Sequence, residues 1–136
     1  MITSTSNAQI KELAKLQKKS RLRDEKGIFL VEGPRMTEEI PAERIEKVYA
    51  SESFAKKNKE FLEKLQAPVE LLTDTVFAYV SDTKTPQGIL LVMEQRSCEI
   101  CEMLDLDAQG RKPLLMVLDN LQDPGNLGTI LRAGEA

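Results

Sequence analysis

The chain has 136 residues, of which 41% are hydrophobic and 30% are charged, and its formal net charge is −3. This length suits a small folded protein with one modest core. No apolar run approaches the roughly 20 residues that cross a membrane, and the N-terminus lacks the apolar core of a signal peptide. We therefore expect a cytoplasmic protein without a membrane partner.

The residue types also exclude several kinds of chemistry. There is no histidine, so histidine-based acid–base catalysis is impossible, and the only cysteines are Cys98 and Cys101. Two cysteines cannot build a disulfide framework or a four-ligand zinc site within the chain. We expect no metal, and a structural or incidental role for this Cys-x-x-Cys pair is favoured over half of a shared zinc site or a redox pair.

Charge is distributed unevenly along the chain. Residues 1–35 contain eight Lys and Arg against four Asp and Glu, whereas residues 69–136 contain five against eleven. Contacts with a nucleic acid would therefore favour the front of the chain. The alternative is that the front lysines (Lys11, Lys15, Lys18 and Lys19) form only the solvated face of an amphipathic helix.

Hydrophobic periodicity predicts alternating helices and strands from the N-terminus. Ser6 and Gln9 fit a capping box for a first helix that ends near Ser20, and a polar loop follows over residues 20–27. Strands are expected at 28–31, 45–50, 69–72 and 88–93. Helices are expected from Pro34, from Ser51 through the apolar stripe to Leu65, and after a Thr73 cap. This order predicts an α/β domain over residues 1–96, with a largely buried sheet between helices.

A second domain is predicted to begin after a linker at residues 97–113, which includes a short helix. Residues 114–118 form a continuous apolar run that favours a strand buried on both faces, and a helix begins near Leu127. We expect residues 114–118 to pack against the first domain or another copy of the chain. Their exposure to solvent would count against this domain assignment.

The most informative segment covers residues 118–136, where an apolar run leads into a Pro-Gly turn and then a helix. Such a junction can direct backbone N–H groups at a phosphate or another polar ligand. Gly125 and Gly128 permit a tight path, and Arg132 could hold a phosphate with two hydrogen bonds. A turn rich in Gly, Asn and Asp is nonetheless more often only a turn, and both interpretations stay open on these residues alone.

Together, three segments (residues 6–33, 80–92 and 118–136) resemble the SpoU family of RNA methyltransferases, the TrmH-like branch of the SPOUT class. Residues 6–33 and 80–92 resemble the start and the last strand of its substrate-binding domain. The segment 118–136 resembles its first conserved catalytic motif, through Asn120, Asp123, Pro124, Asn126, Gly128, Arg132 and Ala133. The resemblance thus spans the whole chain.

The resemblance implies an S-adenosylmethionine-dependent enzyme that methylates a ribose 2′-hydroxyl in ribosomal or transfer RNA as a homodimer. Asn126 and Arg132 would be its catalytic residues. Asn120, Asp123, Pro124, Gly125 and Gly128 would form the active-site loop. Residues 114–136 would be the truncated start of a knotted α/β (SPOUT) domain whose later motifs are absent. We therefore expect this chain alone neither to bind the cofactor nor to methylate RNA.

For the first domain, the resemblance implies an L30e/L7Ae-like three-layer fold with a central mixed sheet that binds RNA through loops. Candidate RNA contacts are Lys19, Arg21, Arg23, Arg35, Lys84 and Gln87, which lie near predicted turns; surface salt bridging is the alternative for the charged ones. With four Phe, two Tyr and no Trp, a broad base-stacking platform is disfavoured. Recognition by shape and backbone is favoured instead.

Two other functions remain open at this point. A stand-alone L30e-like RNA-binding adaptor would perform no chemistry, but it would have no need of the motif at 118–136. A small nucleotide-binding protein could use the turn at 123–128, although neither a Walker lysine nor a Gly-x-Gly-x-x-Gly pattern is present. We rank the nucleotide-binding function last.

Overall fold

A computed structural model describes residues 1–105 and 110–135 of the chain. They form two compact units, Met1–Arg96 and Ser97–Ala136. In the first unit the helices are α1 (Ala8–Lys18), α2 (Ser20–Lys26), α3 (Pro34–Glu38), α4 (Glu52–Lys57), α5 (Lys59–Lys64) and α6 (Asp74–Val80), with a 3-10 turn at Ala42–Arg44. The strands are β1 (Ile28–Glu32), β2 (Ile45–Ser51), β3 (Val69–Leu72) and β4 (Ile89–Glu94).

The four strands form one mixed sheet in the order β1-β4-β2-β3. Strand β4 is antiparallel to both β1 and β2, while β2 and β3 are parallel. Strands β1, β2 and β3 therefore run in one direction, and their carboxyl ends meet the start of β4 at the same edge of the sheet. We call this edge the carboxyl edge. The predicted mixed α/β architecture is confirmed.

The sheet separates two hydrophobic clusters. Alternate residues of β4 point to opposite faces, so Leu90 and Val92 join Phe77 and helix α1 on one side. Ile89, Leu91 and Met93 join the other cluster, against which the α4 and α5 side chains Phe54, Phe61 and Leu62 pack. Because β4 is buried on both faces, helices cover the sheet on both sides and the unit has three layers.

In the first unit, the structure corrects three predictions of local structure. Asn7, not Ser6, caps α1, since its side chain accepts a hydrogen bond from the Gln9 N–H. Residues 20–26 form a helix, because they contain no Gly or Pro and end at Gly27, which adopts the left-handed conformation of a helix terminus.

The third correction concerns the predicted single helix after Ser51. It is divided into α4 and α5 at Asn58, whose side-chain Nδ2 donates to the Phe54 carbonyl at 3.0 Å. A side chain that bonds to the backbone in this way competes with the regular helical ladder.

In the second unit, helix α7 spans Ile100–Leu104 and helix α8 spans Pro124–Glu135. The strand predicted at 114–118 is not formed: these residues pair with no strand among those described, and Leu114 is 100% and Val117 88% exposed. The expectation that they pack against the first domain or another copy of the chain stays a prediction. A single strand gains little without a neighbour to receive its backbone hydrogen bonds. The assignment of residues 114–136 to a catalytic domain stays a prediction.

Within residues 1–105 and 110–135, no helix has the length and apolar character needed to cross a membrane.

Candidate functional site

A loop at the carboxyl edge is held by one carboxylate. This loop covers residues 81–88, between α6 and β4, and we call it the 81–88 loop. Glu32, the last residue of β1, accepts hydrogen bonds from Ser81 Oγ at 2.5 Å, Thr83 Oγ1 at 2.9 Å and the Asp82 N–H at 3.3 Å. The first half of the loop is thereby attached to the end of a core strand.

Two glycines allow the second half of the loop to lie close to the fold. At Gly33 (φ 105°) an added Cβ would lie 2.8 Å from Gln87 Oε1, and at Gly88 (φ 84°) it would lie 2.7 Å from Phe54 Cβ. The Gly88 carbonyl also accepts a hydrogen bond from the Ser51 N–H at 2.8 Å. Gln87 thus rests against the turn that leads into α3.

Two cations, one in this loop and one next to it, have no ion-pair partner among the described residues. Lys84 lies in the loop itself, and Arg35 lies in the first turn of α3, two residues after Gly33. Both side chains are exposed. The structure therefore brings Gln87 next to the segment that carries Arg35, and leaves both cations available to an anionic ligand.

The remaining RNA-contact candidates lie elsewhere, around helices α1 and α2. Lys19 and Arg21 are exposed, and Arg21 pairs with Glu25 one helical turn away at 2.9 Å. Arg23 is half-buried, and its Nη1 donates to the carbonyls of Leu16 at 2.5 Å and Gln17 at 3.1 Å. Its guanidinium thus binds the unpaired carbonyls at the end of α1.

These two groups of candidates are not joined by a hydrogen bond or ion pair in the part of the chain that the structure describes. The Gln95 N–H donates to the Gly27 carbonyl at 2.7 Å, which places the end of α2 at the edge where β1 begins. Glu32 lies at the opposite end of β1. The structure thus divides the candidates between the α1–α2 hairpin and the 81–88 loop.

A second contact at the carboxyl edge connects the starts of α4 and α6. Asp74 accepts hydrogen bonds from the Ser53 hydroxyl and from the Ser53 N–H, the latter at 3.2 Å. The hydroxyl bond is the largest cause that lowers the pKa of the Asp74 carboxyl below its usual 3.8. This contact holds two helix starts beside the loop.

A cavity of about 420 Å³ lies between α1 and the amino end of β2. Tyr49 lines it, and burial raises the pKa of its phenol above the usual 10.0, with the nearby carboxylates of Glu70 and Glu12 acting in the same direction. Lys47 Nζ lies 5.1 Å from the Tyr49 ring and donates to Gln9 Oε1 at 2.9 Å. Because both lysines (Lys26 and Lys47) and carboxylates (Glu12 and Glu46) line this cavity, it favours no ligand of one charge.

In the second unit the motif residues form a local network around the start of α8. Asp123 Oδ1 accepts from the Gly125 N–H at 2.8 Å, and Thr129 Oγ1 donates to the Gly125 carbonyl at 3.0 Å. Arg132 Nη2 donates to the same hydroxyl at 3.2 Å, and its Nη1 would lie 3.3 Å from a Cβ added at Gly128. The Arg132 guanidinium therefore lies along the helix over Gly128.

The other motif residues adjoin this network. Pro124 is the first residue of α8, and Asn126 lies in its first turn with its side chain exposed. Asn120 has φ 51°, a conformation that asparagine tolerates better than most residues.

Sequence reasoning missed Glu32, Ser53, Asp74 and Thr129. The sequence contained one usable signal for Glu32, an acidic residue directly after a buried strand and before a glycine. Nothing in the hydrophobic pattern indicates that residues 81–83 return to it, because these hydrogen bonds span about fifty residues. Cys98 and Cys101 are free and exposed, and no described cluster of three His, Cys, Asp or Glu side chains is arranged to hold a metal.

Comparison with known protein families identifies the first unit. Residues 7–91 match the model of the MRM3-like substrate binding domain. The matched range contains α1, all of β1 to β3, the start of β4 and the complete 81–88 loop.

Curated relatives extend this similarity. The chain is 33% identical to the 23S rRNA (guanosine(2553)-2′-O)-methyltransferase RlmP of Bacillus subtilis over 138 aligned positions, which cover 99% of the chain and 50% of that protein. It is 34% identical to the human mitochondrial rRNA methyltransferase 3, over 85% of the chain and 28% of that protein. The chain thus spans half the length of the bacterial relative and less of the human one.

Solved structures agree with the sequence relatives. An RNA 2′-O ribose methyltransferase superposes with a TM-score of 0.67 at 28% identity, covering 98% of this chain and 51% of the other. A protein of the TrmH family from Porphyromonas gingivalis gives a TM-score of 0.63 at 26% identity, covering 98% of this chain and 48% of the other. The chain therefore belongs to the SpoU class of RNA methyltransferases, and residues 7–91 are its MRM3-like substrate-binding domain.

Proposed function

We propose that this chain is the RNA-recognition portion of an S-adenosylmethionine-dependent methyltransferase that modifies a ribose 2′-hydroxyl of ribosomal or transfer RNA. The observation that carries the proposal is the match of residues 7–91 to a substrate-binding domain. The activity printed for the Bacillus subtilis relative, 2′-O-methylation of a guanosine in 23S rRNA, supports the reaction type.

RNA would be bound chiefly through its phosphates and its shape. Lys84 is exposed in the 81–88 loop, Arg35 is exposed in α3 next to it, and Lys19 and Arg21 are exposed on the α1–α2 hairpin. Exposed cations of this kind exchange a weak surface partner, or water, for a phosphate at little cost. The polar side chain of Gln87 adds a donor and an acceptor for a sugar or a base edge.

For the whole enzyme, we propose that Arg132 positions the RNA phosphate and stabilises charge near the attacking hydroxyl. Arginine is a poor general base, because its pKa lies above about 12. The hydroxyl proton would then leave through the adjacent phosphate. Thr129 holds the guanidinium along α8, which would limit the orientations in which it meets a phosphate. Asn126, in the first turn of the same helix, would organise the active-site loop.

S-adenosylmethionine would supply an electrophilic methyl group on a sulfonium centre. A nucleoside cofactor of this size is normally held in a pocket that buries most of its surface. Between residues 110 and 134 only Gly128 and Ile130 are partly buried, so these residues do not form such a pocket. We therefore propose that this chain by itself neither binds the cofactor nor transfers a methyl group. From the family resemblance, we also propose that the complete enzyme works as a homodimer.

A fluorescence-anisotropy titration tests RNA recognition. The chain is titrated against fluorescein-labelled transfer RNA and stem-loops of 23S rRNA at several salt concentrations. We expect binding that weakens as salt rises, and a lower affinity after Arg35→Ala or Lys84→Ala. Absence of binding at low salt would contradict recognition by this chain, and methyl transfer from S-adenosylmethionine by the purified chain would contradict its proposed inactivity.

A further inference from the structure

Glu32 differs from the other described acidic residues of the first unit in its hydrogen-bond partners. Its carboxylate has no cationic partner among the described residues, yet it accepts three hydrogen bonds from three consecutive residues, Ser81, Asp82 and Thr83. The Ser81 hydroxyl in turn accepts from the Thr83 N–H at 3.2 Å. One carboxylate thus organises a complete turn that is remote in sequence.

The position of Glu32 attaches residues 81–83 to the core of the first unit. It is the last residue of β1 and pairs with Leu90, a fully buried residue of β4. The turn that it holds begins at Ser81, whose N–H also closes α6 through the Phe77 carbonyl at 3.0 Å. The rigid sheet and α6 therefore fix one side of the 81–88 loop.

The other side of the loop is fixed by contact with glycines. Gln87 lies against Gly33, and Gly88 lies against Phe54 and Ser51. Between these two attachments are Lys84, Thr85 and Pro86, which are exposed. Holding both ends removes most of the conformational freedom that the exposed residues would otherwise lose on binding a ligand.

We infer that Glu32 is a positioning residue for RNA binding, which holds residues 81–83 so that Lys84 and Gln87 are presented to RNA beside the α3 segment that carries Arg35. The inference rests on the proposed function. Glu32 itself does not contact RNA in this arrangement, because a carboxylate repels phosphate and its oxygens are already occupied by loop donors.

The sign of the effect separates positioning from a simple surface charge. Removal of a negative charge near a phosphate-binding surface should by itself strengthen RNA binding. Loss of a positioning contact should weaken binding, because only the fraction of molecules with an ordered loop binds well. Substitution of Glu32 therefore gives opposite results under the two alternatives.

The test measures RNA affinity of Glu32→Ala and Glu32→Gln with the labelled transfer RNA and 23S rRNA stem-loops. We expect Glu32→Ala to bind about tenfold more weakly, which corresponds to a loop that is ordered about a tenth of the time. Glu32→Gln keeps the shape but loses the charge-assisted bonds, so we expect about a threefold loss. Glu38→Gln, an exposed acidic residue at the end of α3, is the matched control and should leave affinity unchanged or raise it.

Two further measurements make the outcome decisive. Hydrogen exchange without RNA should show faster exchange of the Asp82 N–H in Glu32→Ala. The effects of Glu32→Ala and Lys84→Ala should be less than additive, because both act through the same loop. If Glu32→Ala does not fold, the paired substitutions Ser81→Ala and Thr83→Val remove the two hydroxyl contacts to Glu32 from the loop side, leave the Asp82 N–H bond in place, and should also weaken binding.

The failures of the two proposals are distinguishable. An unmutated chain that does not bind RNA would overturn both the proposed function and this role of Glu32. An unmutated chain that binds RNA, with Glu32→Ala or the paired loop variant binding equally or more tightly, would overturn only the positioning role.

Discussion

Arg21 and Arg23 lie two residues apart in the sequence but make different contacts. Arg23 donates to two backbone carbonyls at the end of α1 and is half-buried, whereas Arg21 is exposed and pairs only with Glu25. Removal of a charged donor from backbone carbonyls lowers the free energy of unfolding more than removal of a surface ion pair does. The effect of an arginine substitution on RNA binding must therefore be separated from its effect on folding.

We predict that Arg23→Ala lowers the free energy of unfolding by about 1–2 kcal/mol, since carbonyls at the end of α1 lose their donor. Arg21→Ala should change it by less than about 0.5 kcal/mol. Urea denaturation of the two variants and the unmutated chain measures both values. Equal stabilities of the two variants would show that the Arg23 contacts do not stabilise α1 in solution.

The Ser53–Asp74 contact predicts a dependence of stability on pH. The hydrogen bond from Ser53 lowers the pKa of Asp74 in the folded state below the usual 3.8. A carboxyl with a lowered folded-state pKa stabilises the fold fully above its unfolded pKa, and this stabilisation is lost as pH falls through the folded-state pKa. Ser53→Ala should therefore be less stable than the unmutated chain at neutral pH, and the difference should shrink in acid.

Urea denaturation of both chains at neutral pH and below the folded-state pKa of Asp74 measures this difference. A difference that stays constant with pH would mean that the Ser53 hydroxyl stabilises the fold without regard to the charge of Asp74.

For single residues, the sequence predicted which cations lie near turns, but it did not predict which groups they contact. Arg35 and Lys84 are exposed and available, as a role in RNA binding requires, whereas the Arg23 guanidinium is occupied by α1 carbonyls. Sequence periodicity identifies which residues are buried, but hydrogen bonds between distant segments depend on the tertiary fold. Glu32 is the clearest case, since its partners lie about fifty residues away.

At the scale of elements, the attachment of the 81–88 loop depends on a close approach at Gly88. We predict that Gly88→Ala destabilises the first unit by about 3 kcal/mol or more, because the new Cβ would clash with Phe54 and the residue would keep an unfavourable positive φ. Gly27→Ala is the matched control, since Gly27 also has a positive φ but its added Cβ meets nothing within 4 Å. It should cost about 1 kcal/mol.

Thermal unfolding of the two glycine variants measures this contrast. Similar losses at Gly88 and Gly27 would indicate that backbone conformation alone, without close packing, makes glycine necessary at the end of the loop.

Elements with strong local signals were predicted well. The four strands of the first unit and the Thr73-capped helix α6 are confirmed, because alternation, β-branched residues and a hydroxyl cap specify them locally. The division of α4 from α5 was missed, since the apolar stripe continues across Asn58. The strand at 114–118 was predicted from its apolar run, but a strand also needs a partner strand, which is not found among the described residues.

At the scale of the whole molecule, the two units differ in how much apolar surface they bury. Both hydrophobic clusters consist of residues from the first unit, while Leu114, Met116 and Val117 of the second unit are largely exposed. Exposed apolar runs of this kind are typical of surfaces that pack against further protein. We predict that the second unit requires additional chain or a partner to complete its core, which agrees with relatives in which this chain covers about half the length.

We propose that the substrate-binding unit recognises RNA at the carboxyl edge of its sheet, around the 81–88 loop. The most direct test is a titration of the 15N-labelled chain with unlabelled transfer RNA, followed by amide chemical shifts in NMR spectra. We predict that the largest shift changes fall at the amides of residues 82–85, Gln87, Gly33, Arg35 and Met36, since Pro34 and Pro86 have no N–H. Changes confined to the second unit, or to the apolar groove lined by Leu62, Ala67 and Val69, would contradict it.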